Sequence, residues 1–146
     1  MLESDARQQS AAIPYRRIDG EVEICLIRRK DTDVWGIPKG SVEEGDAPDR
    51  SALNEAREEA GLHGRIVGEP VGSYEYRKRG DVHVVAVFLM EVRKVSPDWD
   101  ESWLRDRRWC SITEALTLLA AHPAAGLLRR AARRLTGAAL GGRDGR

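Results

Sequence analysis

No stretch of this 146-residue chain is apolar for long enough to cross a bilayer. The longest apolar run, Val84–Met90, is seven residues, the length of a buried strand. The opening residues, MLESDARQQS, lack the apolar h-region of a secretory signal, so none is expected. Cysteine is scarce. Cys25 lies within an apolar strand pattern, Cys110 follows Trp109, and neither has metal-ligand spacing. Two buried reduced thiols are expected rather than a disulfide, which points to the cytoplasm, and the lack of a spanning segment points to no membrane partner. The chain has no internal repeat and no linker long enough to separate two domains. It also lacks the aromatic-plus-basic stretch typical of single-strand binding, so nucleic acid is not an expected partner.

What is present is an ordinary globular composition, 41% hydrophobic and 33% charged, sized for one domain with a real core. The formal net charge is zero but unevenly spread. Residues 1–62 hold fourteen acids against nine bases, whereas residues 104–146 hold nine arginines against three acids. Residues 1–9 read as a flexible lead, 10–136 as the domain and 137–146 as a disordered tail. Ala11–Arg17 and Glu21–Arg29 read as strands about an Asp19-Gly20 turn. Trp35–Gly40 reads as a loop, being rich in Gly and Pro. A helix follows at about Asp49–Ala60, with Asp46 or a neighbour as cap, Pro48 in its first turn and Gly61 beyond its end. Gly64–Val71 is a further strand. Ser73–Arg77 and Val82–Val92 pair around Gly80-Asp81. Ser111 opens a helix to about Ala120 with a capping box, and a last helix runs from near Pro123 to about Leu135. Strands mixed with helices predict an α/β or α+β domain with the sheet in the middle.

The helix at Asp49–Ala60 carries the chemistry. At about 100° per residue, Ala52, Leu53, Ala56 and Ala60 share one arc, and Glu55, Glu58 and Glu59 share a neighbouring one. The small apolar arc suits close packing on a sheet. Three clustered carboxylates repel each other, and on a bare surface helix they would be a solvated acidic face. The Gly-rich loop immediately before them changes that reading. A carboxylate cluster facing such a loop suits a hard divalent cation, which keeps water and substrate phosphate in its shell. A further carboxylate can then serve as general base.

Gly40, five residues, Asp46, seven residues, and Asn54-Glu55-Ala56-Arg57-Glu58-Glu59-Ala60-Gly61-Leu62 resemble the Nudix box over its full span, and Trp35-Gly36-Ile37-Pro38-Lys39-Gly40 is similar to the loop before it. The resemblance covers about Ser10 to Leu135. It implies a Nudix-type α/β/α sandwich with a central mixed sheet, and a phosphoanhydride hydrolase using Mg²⁺, with Mn²⁺ able to substitute. It implies Glu58 and Glu59 as metal ligands, Glu55 as a ligand or the base that activates water, and the Lys39 carbonyl completing the shell. Glu55 and Glu58 are the catalytic pair on this reading. Two positions depart from the pattern: Asp46 stands in place of Glu, and Asn54 in place of an Arg that orients the box carboxylates.

Pro97–Ser102, Arg105–Cys110, Ser111–Ala120 and His122-Pro123 together resemble the diphosphoinositol polyphosphate phosphohydrolase branch, whereas Pro38-Lys39-Gly40 is closer to diadenosine polyphosphate hydrolases. Both imply a polyphosphorylated small molecule as substrate. Basic groups that could meet it are Arg16-Arg17, Arg28-Arg29-Lys30, Arg77-Lys78-Arg79 and Arg105, Arg107 and Arg108. The set expected at the substrate is Arg16, Arg17, Lys39, Lys78, Arg79, Arg105 and Arg107; taken singly, each could be a solvated strand-end charge. Arg129-Arg130 and Arg133-Arg134 read as an outer solvated helix face. His83, Tyr74 and Tyr76 could touch ligand but fit sheet packing, and Trp99, Trp103 and Trp109 read as anchors for the C-terminal helices. Two other functions stay open: a Nudix enzyme acting on RNA 5′ ends or nucleoside di- and triphosphate derivatives, and a silent module that senses a nucleotide.

Overall fold

The structure, a computed structural model, describes residues 6–142. Along the chain run β1 (Arg7–Ile18), β2 (Glu21–Arg29), β3 (Lys39–Ser41), α1 (Pro48–Ala60), β4 (Leu62–Ile66), β5 (Gly72–Lys78), β6 (Asp81–Val95), β7 (Arg105–Ser111), α2 (Ile112–Leu118) and α3 (Ala125–Gly142). The strands form one mixed sheet in the order β4-β6-β1-β2-β7, with β3 on β1 and β5 on β6. Only β1 and β6 run parallel, with Ala11 opposite Val87. The β1–β2 hairpin turns at Asp19 and Gly20, both at positive φ (52° and 83°), the requirement of a tight two-residue hairpin turn.

Strand alternation divides the core in two. Ala11, Ile13 and Tyr15 of β1 point one way, with Val85, Val87 and Leu89 of β6, to the cluster under α2 and α3. Ala12, Phe88 and Met90 point the other way, to Ala52, Ala56 and Ala60 of α1. Those three alanines are fully buried, so the helix rests on the sheet through methyl groups and its carboxylate arc stays close to the strands. The expected α/β architecture with a central mixed sheet and helices on both faces is therefore present.

Several local expectations change. β1 begins at Arg7, inside the segment read as a lead; residues 1–5 of that lead lie outside the described residues, as do 143–146 of the tail. The Trp35–Gly40 loop is partly paired: Lys39 to Ser41 form β3 against β1, and Gly36 bridges Ile27. α1 is capped by Ala47 with no side-chain bond, so Asp46 does not cap it; Pro48 supplies the helical φ instead. The β5–β6 turn falls on Arg79 and Gly80, one residue earlier than expected. β7 has no counterpart in the reading of the sequence. α2 is capped by the Ser111 hydroxyl, but Glu114 turns to Arg108 rather than closing a capping box. Arg130 and Arg134 are not merely solvated: they donate to the carbonyls of Val71, Glu69 and Pro70 and tie α3 to that loop.

Candidate active site

The loop-to-helix segment converges on two carboxyl groups. β3 pairs with β1 so that Gly40 stands opposite Ser10. A Cβ at Gly40 would collide with the carboxylate of Glu55, so glycine is required for that carboxylate to lie against the β3 backbone. One turn on, Glu59 is buried, and the Lys39 backbone N–H donates to its Oε1 at 3.2 Å. Glu55 and Glu59 lie within hydrogen-bonding reach of each other. Burial raises the pKa of Glu55, with Glu58 and Glu101 adding like charge. Burial also pushes Glu59 up to about 8, Glu55 adding to the rise and Arg105 opposing it. Burial and like charge thus disfavour ionising both acids together.

Glu58, at the outer edge of the arc, is half-exposed and its Oε2 accepts from Arg57 at 3.5 Å rather than from Asn54. Among the described residues, no three Asp, Glu, His or Cys side chains already converge on one point. The helix supplies Glu55 and Glu59 together and Glu58 beside them.

The C-terminal end of α1 is held by the segment before and within β7. The last four carbonyls of a helix lack partners within it. Here Gly61 N donates to Arg57 O at 3.0 Å and Glu101 N to Glu58 O at 3.1 Å. Trp99 Nε1 donates to Glu59 O at 2.9 Å, and Arg107 Nη1 to Ala60 O at 2.7 Å, with its guanidinium 4.0 Å from the centre of the Trp99 ring. Gly61, at φ 68°, leaves the space this clamp fills. The acidic-Trp-acidic segment is therefore a tertiary cap on the helix that carries the acids. It also brings in Glu101, a site carboxylate that no expectation included.

A cleft of about 310 Å³ opens beside the acids. Its wall includes Lys39, Glu59, Arg105, Arg28, Arg29, Trp35 and His122. His122 Nδ1 accepts from Ala124 N at 2.9 Å, which leaves its other nitrogen to carry the proton next to Gly36. Burial, with Lys39 nearby, lowers its pKa and keeps the ring neutral. The Lys39 ammonium turns away from the acids, 3.0 Å from Tyr76 Oη and 3.4 Å from Gln9 Oε1. Tyr76 stacks on His83 at 4.6 Å between centroids.

The structure gathers Lys39, Glu55, Glu58, Glu59 and Arg105, and does not gather all of the expected cations with them. Arg16 lies farther along β1, roughly 20 Å from Ser10 at the rise of an extended strand, bonded to Glu23 at 2.8 Å and stacked on Trp109. Arg17 sits at the same far end, near the carbonyl of Leu135. Arg107 is in the helix clamp. Lys78 and Arg79 occupy the exposed tip of the β5–β6 hairpin, two and three residues beyond Tyr76, at the same end of the sheet as Gln9 and β3. Of the tryptophans, Trp99 anchors α1 rather than a C-terminal helix, and Trp103 is 73% exposed and anchors nothing.

Residues 6–131, which include this acid-bearing helix, match a family model for the NUDIX domain, and the chain belongs to that family. Among curated proteins it is 33% identical over 118 residues to Nudix hydrolase 21, chloroplastic, of Arabidopsis thaliana, which covers 77% of this chain and 59% of that protein. It is 30% identical over 119 residues to diphosphoinositol polyphosphate phosphohydrolase 3-alpha of Mus musculus, covering 80% of this chain and 71% of the relative. Among solved structures, an Ap4A hydrolase from C. elegans in a binary complex superposes with a TM-score of 0.75 at 23% identity, covering 90% of this chain and 99% of that one. The chain thus spans less than two thirds of the Arabidopsis relative's length.

Proposed function

We propose that this protein hydrolyses phosphoanhydride linkages in polyphosphorylated small molecules, of the diphosphoinositol polyphosphate or diadenosine polyphosphate type, with a divalent cation. The observation that carries the reading is the carboxyl pair of half-buried Glu55 and buried Glu59 against the Lys39–Gly40 backbone, with Glu59 facing a cleft lined by arginines. Burial and mutual repulsion disfavour ionising both acids together, and an oxygen-rich donor set of this kind fits a hard cation such as Mg²⁺ or Mn²⁺. The residues that would hold it are Glu55, Glu58, Glu59 and the Lys39 carbonyl, with Glu101 beside them. A cation there would neutralise phosphate charge and lower the pKa of a bound water. Glu55, the carboxyl group under Gly40, is placed to accept a proton once both acids are ionised. Arg29 on the cleft wall, and Lys78 and Arg79 on the hairpin tip, would bind the phosphates of a long substrate.

The substrate class follows the relatives' names, since both diphosphoinositol polyphosphates and Ap4A carry several phosphates. The cytoplasm fits the two free, buried cysteines, which sit on opposite faces of the β2–β7 pair and cannot join. Among the described residues no helix is long and apolar enough to cross a membrane. A panel read by phosphate release and product mass tests the proposal: diphosphoinositol polyphosphates, diadenosine penta- and hexaphosphate, ATP, dGTP and ADP-ribose, each with Mg²⁺. Fastest cleavage of a long polyphosphate is expected. If ADP-ribose or a single nucleoside triphosphate is the best substrate, the assigned class is wrong.

A further inference from the structure

We propose that Arg105 is a positioning residue, the built-in counter-charge that fixes the Glu59 carboxylate, rather than a contact for substrate phosphate. The cations carried by α1 itself do not serve the buried pair. Arg57 is directed outward, to Glu58 at 3.5 Å and Asp100 at 3.9 Å, and Asn54 is exposed and uncharged. The charge comes from β7 instead. Arg105 Nη2 stands 3.8 Å from Glu59 Oε2, and Arg105 Nε donates to Glu101 Oε1 at 2.6 Å.

Each oxygen of Glu59 is thereby addressed by a different element. The Lys39 backbone N–H donates to Oε1 and the Arg105 guanidinium faces Oε2 at ion-pair distance. A planar guanidinium can serve two acids along different edges, which an ammonium cannot do with the same geometry. Glu101 closes the arrangement, because its own N–H is bonded to Glu58 O. Arg105 is also mostly buried, with 21% of its side chain exposed, against 9% for Glu59. Its two acidic neighbours already engage its edges, whereas Lys78 and Arg79 stand exposed on a hairpin tip.

This role rests on the proposed function only where turnover is measured; the coupling of Arg105 to Glu59 is readable in chelator. Thermal midpoints in EDTA should be measured at about pH 9, above the pKa of Glu59, for wild type, Arg105→Gln, Arg105→Lys, Glu59→Gln and the Arg105→Gln/Glu59→Gln double variant. Arg105→Gln is expected to lower the midpoint by about 4 °C. Most of that loss should vanish in the Glu59→Gln background, because no charge then remains to be countered. In the Mg²⁺-loaded enzyme, Arg105→Gln should lower kcat on the order of tenfold with KM little changed for long and short substrates alike. Arg105→Lys keeps charge without the two-edged geometry and should be intermediate in both readouts, which holds the test open if the glutamine variant does not fold. Additive effects of Arg105→Gln and Glu59→Gln in EDTA would overturn the proposal. So would a lysine variant identical to wild type, or a KM that rises with the number of substrate phosphates at constant kcat. Absence of any Mg²⁺-dependent turnover in the wild type would instead strike the proposed function and leave the coupling in EDTA to stand by itself.

Discussion

Gly40 lies so close to Glu55 that a single added methyl group would occupy the place of the Glu55 carboxylate. The colliding atoms are the far end of a flexible side chain, so Gly40→Ala can be accommodated by swinging Glu55 away. The variant is expected to fold with a thermal midpoint near wild type and to lose activity on the order of 100-fold, the scale of a reacting group displaced by about an ångström. Thermal melts beside turnover measurements check this; an active Gly40→Ala would remove Glu55 from the site.

Stability without metal should fall as pH rises. Glu59 is held up to about 8 in the folded chain, chiefly by burial, and has an ordinary carboxylate pKa when unfolded. Between those values the folded state binds the extra proton, so stability is full below the unfolded pKa and is lost as pH climbs to about 8. Each pH unit in that window removes at most about 1.4 kcal/mol, or about 3–5 °C at this size. Melts in EDTA from pH 5 to 8 should show the fall. Glu59→Gln should flatten it, and Mg²⁺ should reduce it by taking the proton's place.

The clamp on α1 predicts a stability effect from residues outside the helix. Trp99→Phe removes the bond to Glu59 O while keeping most of the ring, and should cost about 1 kcal/mol. Arg107→Ala leaves Ala60 O unpaired and should cost about 1–3 kcal/mol. Denaturant titration measures both. If Arg107→Ala kept full stability and raised KM instead, Arg107 would belong to the substrate and not to the helix end.

The cations at the two ends of the sheet should behave differently. Lys78→Ala with Arg79→Ala should raise KM for long polyphosphates and leave ATP nearly unaffected, and the effect should shrink with salt. Arg16→Ala should leave KM unchanged for every substrate, because Arg16 lies at the far end of β1 on Trp109 and Glu23. KM values across the substrate panel decide both.

Much of the site was legible because it is local. The arc of Ala52, Ala56 and Ala60 and the arc of Glu55, Glu58 and Glu59 follow from helical spacing alone, and both faces are where that spacing puts them. The β1–β2 hairpin followed from Asp19-Gly20. What stayed hidden depends on contacts between distant segments. β7 reads Arg-Asp-Arg-Arg-Trp-Cys-Ser, with little apolar alternation, because its polar side chains find partners elsewhere: Asp106 on Arg28, Arg107 on Ala60 O, Arg108 on Glu114. β3 is three residues long and exists through pairing with β1. Glu101 reaches the site because its N–H bonds to Glu58 O, which no spacing announces. Arg16 and Arg17 looked equivalent to Arg105 as members of basic groups, and only the tertiary placement separates them.

Glu58 tests the central claim most directly, since it is half-exposed and its replacement should not disturb the core. Hydrolysis of the best substrate in the panel should be measured for wild type and Glu58→Gln, each with Mg²⁺ and with EDTA, beside a thermal melt of both proteins. The account predicts that the wild type turns over only with Mg²⁺, and that Glu58→Gln melts near wild type yet loses most of its turnover. Wild-type rates that survive EDTA, or a Glu58→Gln variant with full activity, would contradict a metal-dependent hydrolase built on this helix.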